Sequence, residues 1–510
     1  MKVFNTEQIK AIDHYTVQQE QITSLQLMER AAKSFVIQFE KDIPDKKTPV
    51  CVFCGNGDNG GDGLAIARLL LAKSRTVKVF IFPGNKKSPD CLKNLKRLQT
   101  HYKSHIQILK NVSQLEKINP DTIIIDCIFG TGLRDTLTQE TLFYKAVECI
   151  NNRFNHIISV DIPSGLPADR TTDGISITAN KTYSFQFPKL AFFLPENEKY
   201  VGDFQILNIG LKREIIEKTK TPYFFTTLEN AHKIIKSRKK FSHKGSLGHA
   251  LLVVGSYGKA GAAILSAKGC MRSGVGLTTA HIPETAYSIL QSSIPEVMCD
   301  VDKNKNYITE IPIDDKYSVY GIGPGIGTDK KTSDALQEFL GHNNKPIILD
   351  ADAINILSKR KKLLGMLPKS TILTPHPKEF ERLVGRWDND SERLTLQREF
   401  SKKHHLIIVL KGAHTSISDP DGNIYFNSTG NSGMATAGTG DVLTGIITGL
   451  LAQHYTPLNS AILGVYIHGL AADLSLSTQS EESLIASDIT NHMGMAFKQI
   501  RGYKIDAQKF

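Results

Sequence analysis

The sequence predicts two α/β domains, each a mainly parallel sheet with helices on both faces. Three observations support this class. A chain of 510 residues is too long for one ordinary hydrophobic core. Short β-rich runs alternate with helical stretches in both halves, which is typical of parallel strands joined by crossover helices. Two glycine-rich loops, residues 55–63 and 436–441, lie beside apolar runs and carry aspartates.

The predicted elements form two series, separated by a polar and basic stretch at residues 210–245. We therefore expect a first domain at residues 1–220 and a second at 225–505. Residues 5–40 have apolar side chains at helix-like spacing and are predicted to be helical. Strands are predicted at 50–54, 76–82, 122–127, 156–161, 181–187, 204–209, 249–255, 317–322, 346–350, 371–374, 406–411 and 423–427. Further helices are predicted at 64–74, 138–152, 260–274, 330–341, 377–384, 391–404 and 441–453.

Composition and charge exclude several classes of protein. An apolar fraction of 40% and a charged fraction of 22% are ordinary for a globular protein. The net charge of +11 indicates a solvated, lysine-rich surface, with attraction of anionic small molecules such as nucleotides as the alternative interpretation. The basic residues are scattered, so we expect no nucleic-acid partner. No run of about 18 apolar residues predicts a membrane span. Seven irregularly spaced cysteines form no disulfide framework and predict a reducing, cytoplasmic location.

The first glycine-rich loop lies between a predicted strand and a predicted helix. Gly55, Gly57 and Gly60 have the spacing of the dinucleotide-binding fingerprint. A nicotinamide dehydrogenase would also need an acidic residue after the next strand to hold the ribose, and residues 77–87 contain none. The loop therefore predicts phosphate binding by backbone N–H groups, outside the ordinary dehydrogenase pattern.

Carboxylate and amide oxygens accompany this loop and two neighbouring strand ends. Asp58, Asn59 and Asp62 supply oxygens that suit a hard cation or ribose hydroxyls. Asp126 and Asp161 each end a predicted strand. Because ligands bind at the carboxyl ends of strands in open α/β sheets, these side chains are expected to line one pocket.

The second glycine-rich loop places Asp441 at the start of a predicted helix, directly after Gly440. Backbone N–H groups at such a turn can stabilise a transferring phosphoryl group, while the carboxylate accepts a proton from a substrate hydroxyl. Lys411 follows another strand and could meet a nucleotide's phosphates. His376 lies between two prolines, on a stiff extended turn that suits a functional side chain.

The N-terminal motifs resemble the NAD(P)H-hydrate epimerase family over nearly all of residues 1–210. The matching strings are residues 55–63, Asp126 with 130–134, 160–166, and Asp13 with 27–32. This resemblance implies a Rossmann-like domain in which Asp161 is catalytic and Asn59, Asp126 and Ser164 bind K⁺. The hydrate of NAD(P)H would be held by Asp58, Asn59, Gly60, Gly61, Asp62, Gly130, Thr131, Gly132, Leu133, Arg134, Asp135, Thr136 and Asp161.

The C-terminal motifs resemble the NAD(P)H-hydrate dehydratase branch of the ribokinase-like superfamily. The matching strings are 243–248, 254–256, 261–263, 272–277, 323–327, 350–352, 374–379, 411–415 and 436–441. The resemblance implies a ribokinase-like domain with Asp441 as the catalytic base. The hydrate would contact Ala262, Gly325, His376 and Asp441, and ADP or ATP with Mg²⁺ would contact Lys411, Gly412, Ala413, His414, Thr415 and Gly440.

Together the two resemblances imply one fused repair enzyme, in which the epimerase converts the R hydrate into the S hydrate and the dehydratase returns the S hydrate to NAD(P)H. The substrates would be NADHX, NADPHX and ADP or ATP. Homo-oligomers are usual for such folds, so we expect one here. The alternative is a ribokinase-like small-alcohol or vitamin-precursor kinase with an N-terminal nucleotide-binding module. It would make a stable phosphorylated alcohol and would leave residues 126–136 and 161–165 without a role.

Overall fold

The computed structural model describes residues 1–84, 86–133 and 137–504. The chain forms two compact units, one mainly Lys2–Thr221 and the other mainly Pro222–Asp388 with residues 392–504. Both are α/β units built on parallel strands, which confirms the predicted fold class. Within the described ranges, no helix is long and apolar enough to cross a membrane.

The N-terminal unit contains a sheet in which all neighbouring strands are parallel. The strands of this sheet are β2 (Val50–Cys54), β3 (Val77–Ile81), β4 (Ile106–Ile108), β5 (Ile123–Cys127), β6 (Ile157–Val160), β7 (Lys181–Phe185) and β8 (Asp203–Leu207). A short strand, β1 (Lys2–Val3), precedes them in the chain and is not part of this sheet. The helices of the unit are α1 (Thr6–Gln19), α2 (Ser24–Asp42), α3 (Asp58–Ala72), α4 (Pro89–Tyr102), α5 (Leu142–Arg153), α6 (Glu198–Val201) and α7 (Arg213–Lys218). The sheet order is β4-β3-β2-β5-β6-β7-β8.

Alternation along the central strand divides the apolar core into two layers. Val50 and Val52 pack in a cluster with residues of α1 to α4, whereas Cys51 and Phe53 pack in a cluster with residues of α5. Successive side chains of a strand point to opposite faces, so a run that is apolar at every position is buried on both sides. This sandwich brings the carboxyl ends of β2, β5 and β6 to one edge.

Residues 5–40 are helical as predicted, but they form two helices, with a break at residues 20–23 that was not predicted. Gln21 has a φ of +54°, a left-handed conformation that ends α1. Thr23 then caps α2: its side chain accepts the N–H of Gln26, and the side chain of Gln26 accepts the N–H of Thr23. This reciprocal capping box satisfies backbone N–H groups at the start of α2. In one continuous helix the same groups would be bonded within the helix. Spacing of apolar residues alone did not distinguish one helix from two.

The C-terminal unit has strands that are parallel except around β17. Its strands are β9 (Tyr223–Thr226), β10 (His249–Val253), β11 (Leu277–Ile282), β12 (Met298–Val301), β13 (Val319–Ile322), β14 (Ile347–Leu349), β15 (Ile372–Leu373), β16 (Ile407–Leu410), β17 (Ser416–Ser418) and β18 (Ile424–Asn427). Its helices are α8 (Leu228–Ile234), α9 (Ala260–Arg272), α10 (Tyr287–Ser293), α11 (Lys330–His342), α12 (Ala351–Lys359), α13 (Pro377–Val384), α14 (Asp390–His404), α15 (Thr439–Ala452), α16 (Pro457–Ser475) and α17 (Ala486–Arg501). These strands follow the order β9-β18-β17-β16-β15-β14-β13-β10-β11-β12.

The same two-layer burial holds in this unit. Leu252 packs in a cluster with residues of α9 and α15, whereas Leu251 packs in one with residues of α11 and α12. Strand β9 lies inside the polar and basic stretch at residues 210–245, where no strand was predicted. Its residues, Tyr-Phe-Phe-Thr, pair in parallel with β18. Strands β11 and β12 were not predicted, since neither is a continuous aliphatic run.

Candidate functional site

A cavity of about 1210 Å³ opens at the carboxyl end of the N-terminal sheet. The start of α3, the loop after β5 and the end of β6 all contribute to its wall. The residues predicted to bind the hydrate that line it are Asp58, Asn59, Asp62, Gly130, Thr131, Gly132, Leu133 and Asp161. Arg134, Asp135 and Thr136 lie outside the described residues.

Gly60 and Gly61 are buried and do not line this cavity. A Cβ atom at Gly60 would lie 2.1 Å from the carbonyl oxygen of Gly55, and one at Gly61 would lie 2.9 Å from the Sδ atom of Met28. These glycines therefore allow the loop to fold tightly against the rest of the unit.

Asn59, Asp126 and Ser164, the residues predicted to bind potassium, form one buried polar group. The Ser164 hydroxyl donates to Asp126 Oδ1 at 2.5 Å and accepts the Phe129 N–H at 2.7 Å. Asn59 Nδ2 donates to the Phe129 carbonyl oxygen at 2.8 Å. Burial raises the pKa of Asp126, and hydrogen bonds from Ser164 and its neighbours partly offset the effect.

One atom of this group has no partner in the part of the chain that the structure describes. Asn59 Oδ1 is buried and accepts no hydrogen bond. Buried carbonyl oxygens are normally satisfied, so an unpaired one in a polar group that contains a buried carboxylate marks a place for a cation or a water. Among the described residues no group of three His, Cys, Asp or Glu is placed to hold a metal. The donor set is instead mostly neutral oxygen, which suits K⁺.

Asp161 is held in an unusual backbone conformation at the end of β6. Its φ is +68°, a left-handed value that costs a non-glycine residue about 1–3 kcal/mol. Its Oδ1 atom accepts the Phe185 N–H at 3.0 Å and the Lys189 ammonium at 2.6 Å. The side chain is still 18% exposed and lines the cavity. The backbone and these donors therefore fix its direction while leaving it accessible.

Lys189 is a functional residue that the sequence analysis missed. Its side chain is 1% exposed, and its ammonium also donates to Ser184 Oγ at 2.8 Å and the Phe187 carbonyl at 3.1 Å. Lysine is almost never this buried unless it is paired. A lysine within the otherwise apolar stretch Phe187–Leu194 was the available sequence signal.

The C-terminal site is built around the start of α15. Gly438, with φ +89°, caps the helix, and a Cβ atom there would lie 2.4 Å from Leu265 Cδ1. Asp441 follows in the first turn, where the helix dipole favours a negative charge. A Cβ atom at Gly440 would lie 3.4 Å from Lys411 Nζ, so Gly440 lies next to the lysine.

Lys411 and Asp350 form a buried ion pair in this site. Lys411 Nζ donates to Asp350 Oδ1 at 3.0 Å, and Thr444 Oγ1 donates to Asp350 Oδ2 at 2.6 Å. Burial opposes the charged form of Lys411, but Asp350, Glu379 and Asp441 more than compensate and raise the pKa of its ammonium. Lys411 is therefore cationic, and it is already paired with Asp350.

Asp441 itself has no direct ion pair with this lysine among the described contacts. Burial and the negative charge of Asp350 raise the pKa of Asp441 to about 6, although Lys411 acts in the opposite direction. A carboxylate with a pKa close to the working pH is suited to accept a proton.

His376 caps α13 with its side chain. Its Nδ1 atom accepts the N–H of Lys378 at 3.1 Å, and Glu379 Oε2 accepts the N–H of His376 at 2.9 Å. Burial and the nearby Lys411 lower the pKa of His376, so its ring is neutral at physiological pH. The structure thus brings His376 near Lys411.

The remaining predicted residues of this site lie in two neighbouring places. The Cβ of Ala262 would be 3.0 Å from a Cβ atom at Gly325, which has φ +69°, so these two residues lie together. In the loop after β16, Thr415 Oγ1 donates to the Gly412 carbonyl, and Ala413 is exposed. His414 Nδ1 lies 3.0 Å from the Asn427 carbonyl oxygen, so that ring is turned toward β18.

Taken together, each unit offers a carboxylate and a lysine at the carboxyl end of a parallel sheet. The N-terminal arrangement can move a proton at a ligand in the cavity. The C-terminal arrangement can take a proton from a hydroxyl near a helix start that suits phosphate.

Two family models match the chain, one in each unit. Residues 24–191 match the YjeF-related protein N-terminus, and residues 250–493 match the NAD(P)H-hydrate dehydratase family.

Relatives match both units at once. A bifunctional NAD(P)H-hydrate repair enzyme of Moorella thermoacetica is 31% identical, and the match covers 98% of this chain and 97% of the relative. One from Dictyoglomus turgidum is also 31% identical, over 98% of this chain and 99% of the relative. The solved structure of an ADP/ATP-dependent NAD(P)H-hydrate dehydratase of Bacillus subtilis, crystallised with ATP and Mg²⁺, has 33% identity and a TM-score of 0.49, over 54% of this chain and 98% of that one.

Proposed function

Because the chain belongs to the family of bifunctional NAD(P)H-hydrate repair enzymes, we propose that its N-terminal site epimerises the hydrates and its C-terminal site dehydrates the S hydrate. The observation that carries this division is the position of the two family matches, one on each compact unit. The whole-length relatives do not favour the alternative of a small-alcohol kinase with an N-terminal binding module.

In the N-terminal site, Asp161 is the proton carrier. The hydrate has a hydroxyl on C6, next to the ring nitrogen. The nitrogen lone pair can expel that group, and water can return to the other face. A carboxylate directed into the cavity accelerates the proton transfers that accompany both steps. The glycine-rich start of α3 and the loop at residues 130–133 would hold the phosphates of the dinucleotide.

Potassium fits the buried polar group under this cavity. Asn59 Oδ1, the Ser164 hydroxyl and Asp126 would hold it, and its charge would balance the buried Asp126 carboxylate. The support is the unpaired Asn59 oxygen, in a residue that is linked through Phe129 and Ser164 to that carboxylate. The consequence would be a stable α3 start and residue 128–133 loop, both of which line the substrate cavity.

In the C-terminal site, Asp441 is the base. It accepts the proton of the C6 hydroxyl while that oxygen attacks the terminal phosphorus of ADP or ATP. The phosphate then leaves as the ring nitrogen donates its lone pair, and loss of the C5 proton restores NAD(P)H. Lys411 lies next to Gly440 and would compensate the charge that develops on the phosphoryl group.

The nucleotide and its metal would bind beside Asp441. Its proposed contacts are the loop after β16 and the start of α15, namely Lys411, Gly412, Ala413, His414, Thr415 and Gly440. Mg²⁺ would arrive on the phosphates, since it commonly keeps several waters and few protein ligands. We further propose a homo-oligomer and a cytoplasmic location. All seven cysteines are free, which suits a reducing compartment.

A coupled assay tests the proposal. Full-length protein, K⁺, Mg²⁺ and ADP or ATP are mixed with each separated hydrate epimer, and the absorbance of the reduced ring is followed. Both epimers should return to NAD(P)H. Asp161→Ala should leave the R hydrate unused beyond its spontaneous inversion, while the S hydrate is still repaired.

Asp121→Ala is the matched control for that variant, because Asp121 is an exposed aspartate of the same unit. It should behave like the parent. A stable phosphorylated alcohol as the product would instead favour the kinase. Parent-like use of the R hydrate by Asp161→Ala would contradict the epimerase site.

A further inference from the structure

The N-terminal cavity holds more negative charge than the proposed chemistry uses. Of the five carboxylates that line it, Asp13, Asp62 and Asp161 act on one another electrostatically, and one buried ammonium, Lys189, lines the cavity with them. Other charged or titratable groups in the same wall are Lys10, His14, Asp58, Asp90 and Lys93. Three carboxylates in one cavity cannot all be ionised cheaply, so the group as a whole favours holding a proton.

Asp161 is the member of this set that is compensated directly. Lys189 Nζ lies 2.6 Å from its Oδ1 atom, and the Phe185 N–H donates to the same oxygen. Hydrogen bonds and an adjacent positive charge stabilise a carboxylate. Because its carboxylate already has an ammonium and an N–H donor beside it, Asp161 is the member to which we assign the acceptor role.

Asp13 differs from Asp161 in its surroundings. It lies on α1 four residues after Ile9 and four before Val17, and all three line the cavity, so one face of α1 forms part of the cavity wall. Its Oδ1 atom is buried and has no hydrogen-bond partner anywhere in residues 1–84, 86–133 or 137–504. Burial, followed by the charge of Asp161, raises the pKa of Asp13 to about 7, with Lys189 opposing.

Asp62 is the third carboxylate, and it differs from Asp13 in position. It lies in the first turns of α3, and burial raises its pKa, with the charges of Asp161, Asp58 and Asp13 adding to the effect. It stands among the loop residues that would hold the phosphates, whereas Asp13 reaches the cavity from a separate helix. Asp62 is the rival that the experiment must exclude.

We propose that Asp13 is a second catalytic carboxylate of the N-terminal site, donating a proton to the C6 hydroxyl while Asp161 accepts one from the incoming water. The inference rests on the proposed epimerase function of this cavity and goes beyond it by naming the acid. Two carboxylates whose surroundings differ in this way commonly divide the acid and base roles.

The proton and electron balance closes without another reactant. Asp13 gives its proton to the C6 hydroxyl, the C6–O bond breaks with its electron pair on oxygen, and water leaves. The ring nitrogen lone pair forms the N1=C6 double bond. Water then adds to the other face, its proton goes to Asp161, and the double-bond electrons return to nitrogen. The enzyme ends with the proton on Asp161 instead of Asp13, and exchange with solvent restores the starting state.

The test uses full-length protein without nucleotide, so that only epimerisation occurs. Interconversion of the separated R and S hydrates is followed by chromatography between pH 5 and 9. The parent rate should fall above about pH 7, as Asp13 loses its proton. Asp13→Asn should lower kcat by about 100-fold or more and should lose that alkaline fall. Asp13→Glu should recover part of the rate together with the pH dependence.

Three controls make the result decisive. Glu7→Gln removes an exposed carboxylate from the same helix and should leave the rate unchanged. Asp62→Asn should keep the alkaline fall. Thermal melting of Asp13→Asn should match the parent, because Asp13 Oδ1 has no partner to lose.

Contrary outcomes are equally clear. A rate for Asp13→Asn within twofold of the parent would overturn the proposal, as would a lower rate with the same pH profile, which would mean a structural role. Loss of the alkaline fall in Asp62→Asn alone would assign the acid to Asp62. If the parent does not interconvert the epimers, the epimerase function itself fails and the role of Asp13 fails with it. That result differs from an active parent with an equally active Asp13→Asn.

Discussion

The two sites use the same kinds of residue in different ways. In the N-terminal site, Lys189 binds Asp161 directly, at 2.6 Å. In the C-terminal site, Lys411 binds Asp350 at 3.0 Å, and Asp441 is left with a pKa raised to about 6. The comparison teaches that a nearby lysine acts differently according to its partner: Lys189 is paired with the functional aspartate itself, whereas Lys411 is paired with a neighbouring aspartate.

The largest expected effect comes from Asp441. Asp441→Asn should lower the rate of nucleotide-dependent NAD(P)H recovery by about 10³-fold, because the base is lost while the helix start is kept. Epimerisation without nucleotide should be unchanged. Asp315→Asn is the control, since Asp315 is a fully exposed aspartate of the same unit. A variant Asp441→Asn that keeps more than a tenth of the rate would break the comparison.

Removing the lysine of the buried pair should cost stability. In Lys411→Met, Asp350, which is 1% exposed, would be left as an uncompensated buried charge. Breaking such a pair typically costs about 3–5 kcal/mol. Hydrogen exchange of β16, whose opening energy reports on this unit, measures the change.

The double variant Lys411→Met/Asp350→Asn is the check on this prediction. Replacing Asp350 as well removes the uncompensated carboxylate, so part of the free energy of opening that Lys411→Met loses should be recovered. If the two substitutions simply add, the pair is not the source of the stability.

The pH dependence of dehydration sharpens the contrast further. Asp441 has its pKa raised to about 6, so it is protonated below that pH and cannot act as base. The kcat/KM for the S hydrate should therefore fall about tenfold per pH unit below pH 6 and be flat above it. In Lys411→Met this fall should begin at a higher pH, because Lys411 lowers the pKa of Asp441. An unchanged or lower midpoint would be inconsistent with the charge arrangement.

The smallest effect is expected at the buried polar group. Ser164→Ala removes one hydrogen bond to Asp126 and one from the Phe129 N–H, and should destabilise the N-terminal unit by about 1–3 kcal/mol. KCl should raise the melting temperature of the parent more than NaCl does, and this difference between the salts should be smaller in Ser164→Ala.

Ser159→Ala is the matched variant for this prediction. It also removes a hydrogen bond to Asp126, at 2.9 Å, but Ser159 is not a proposed potassium ligand. It should lose stability while keeping the potassium response. Equal responses in the two variants would mean that potassium does not bind there.

Much of the fold could be predicted because its signals are local. Short apolar runs predicted most strands, and glycine-rich strings at the end of β2 and before α15 indicated both candidate sites. The omissions occurred where local signals conflict. The break between α1 and α2 depends on a capping box at Thr23, and β9 is an aromatic strand inside a basic stretch.

The Lys378 position illustrates the limit of motif reasoning at a site. Lys378 belongs to the string 374–379 that supports the resemblance. In the structure it is a helical residue whose N–H donates to His376 Nδ1 at 3.1 Å, and its side chain is exposed. The string identified the segment but not this capping contact.

The sequence by itself determined the two α/β units, the glycine-rich loops and the aspartates that follow them, because strand alternation and loop chemistry depend on neighbours in the chain. Only the tertiary structure decided which charges meet. Lys189 reaches Asp161 across 28 positions and Lys411 reaches Asp350 across 61. Electrostatic energy depends on distance in space and on burial, and neither can be obtained from spacing along a chain.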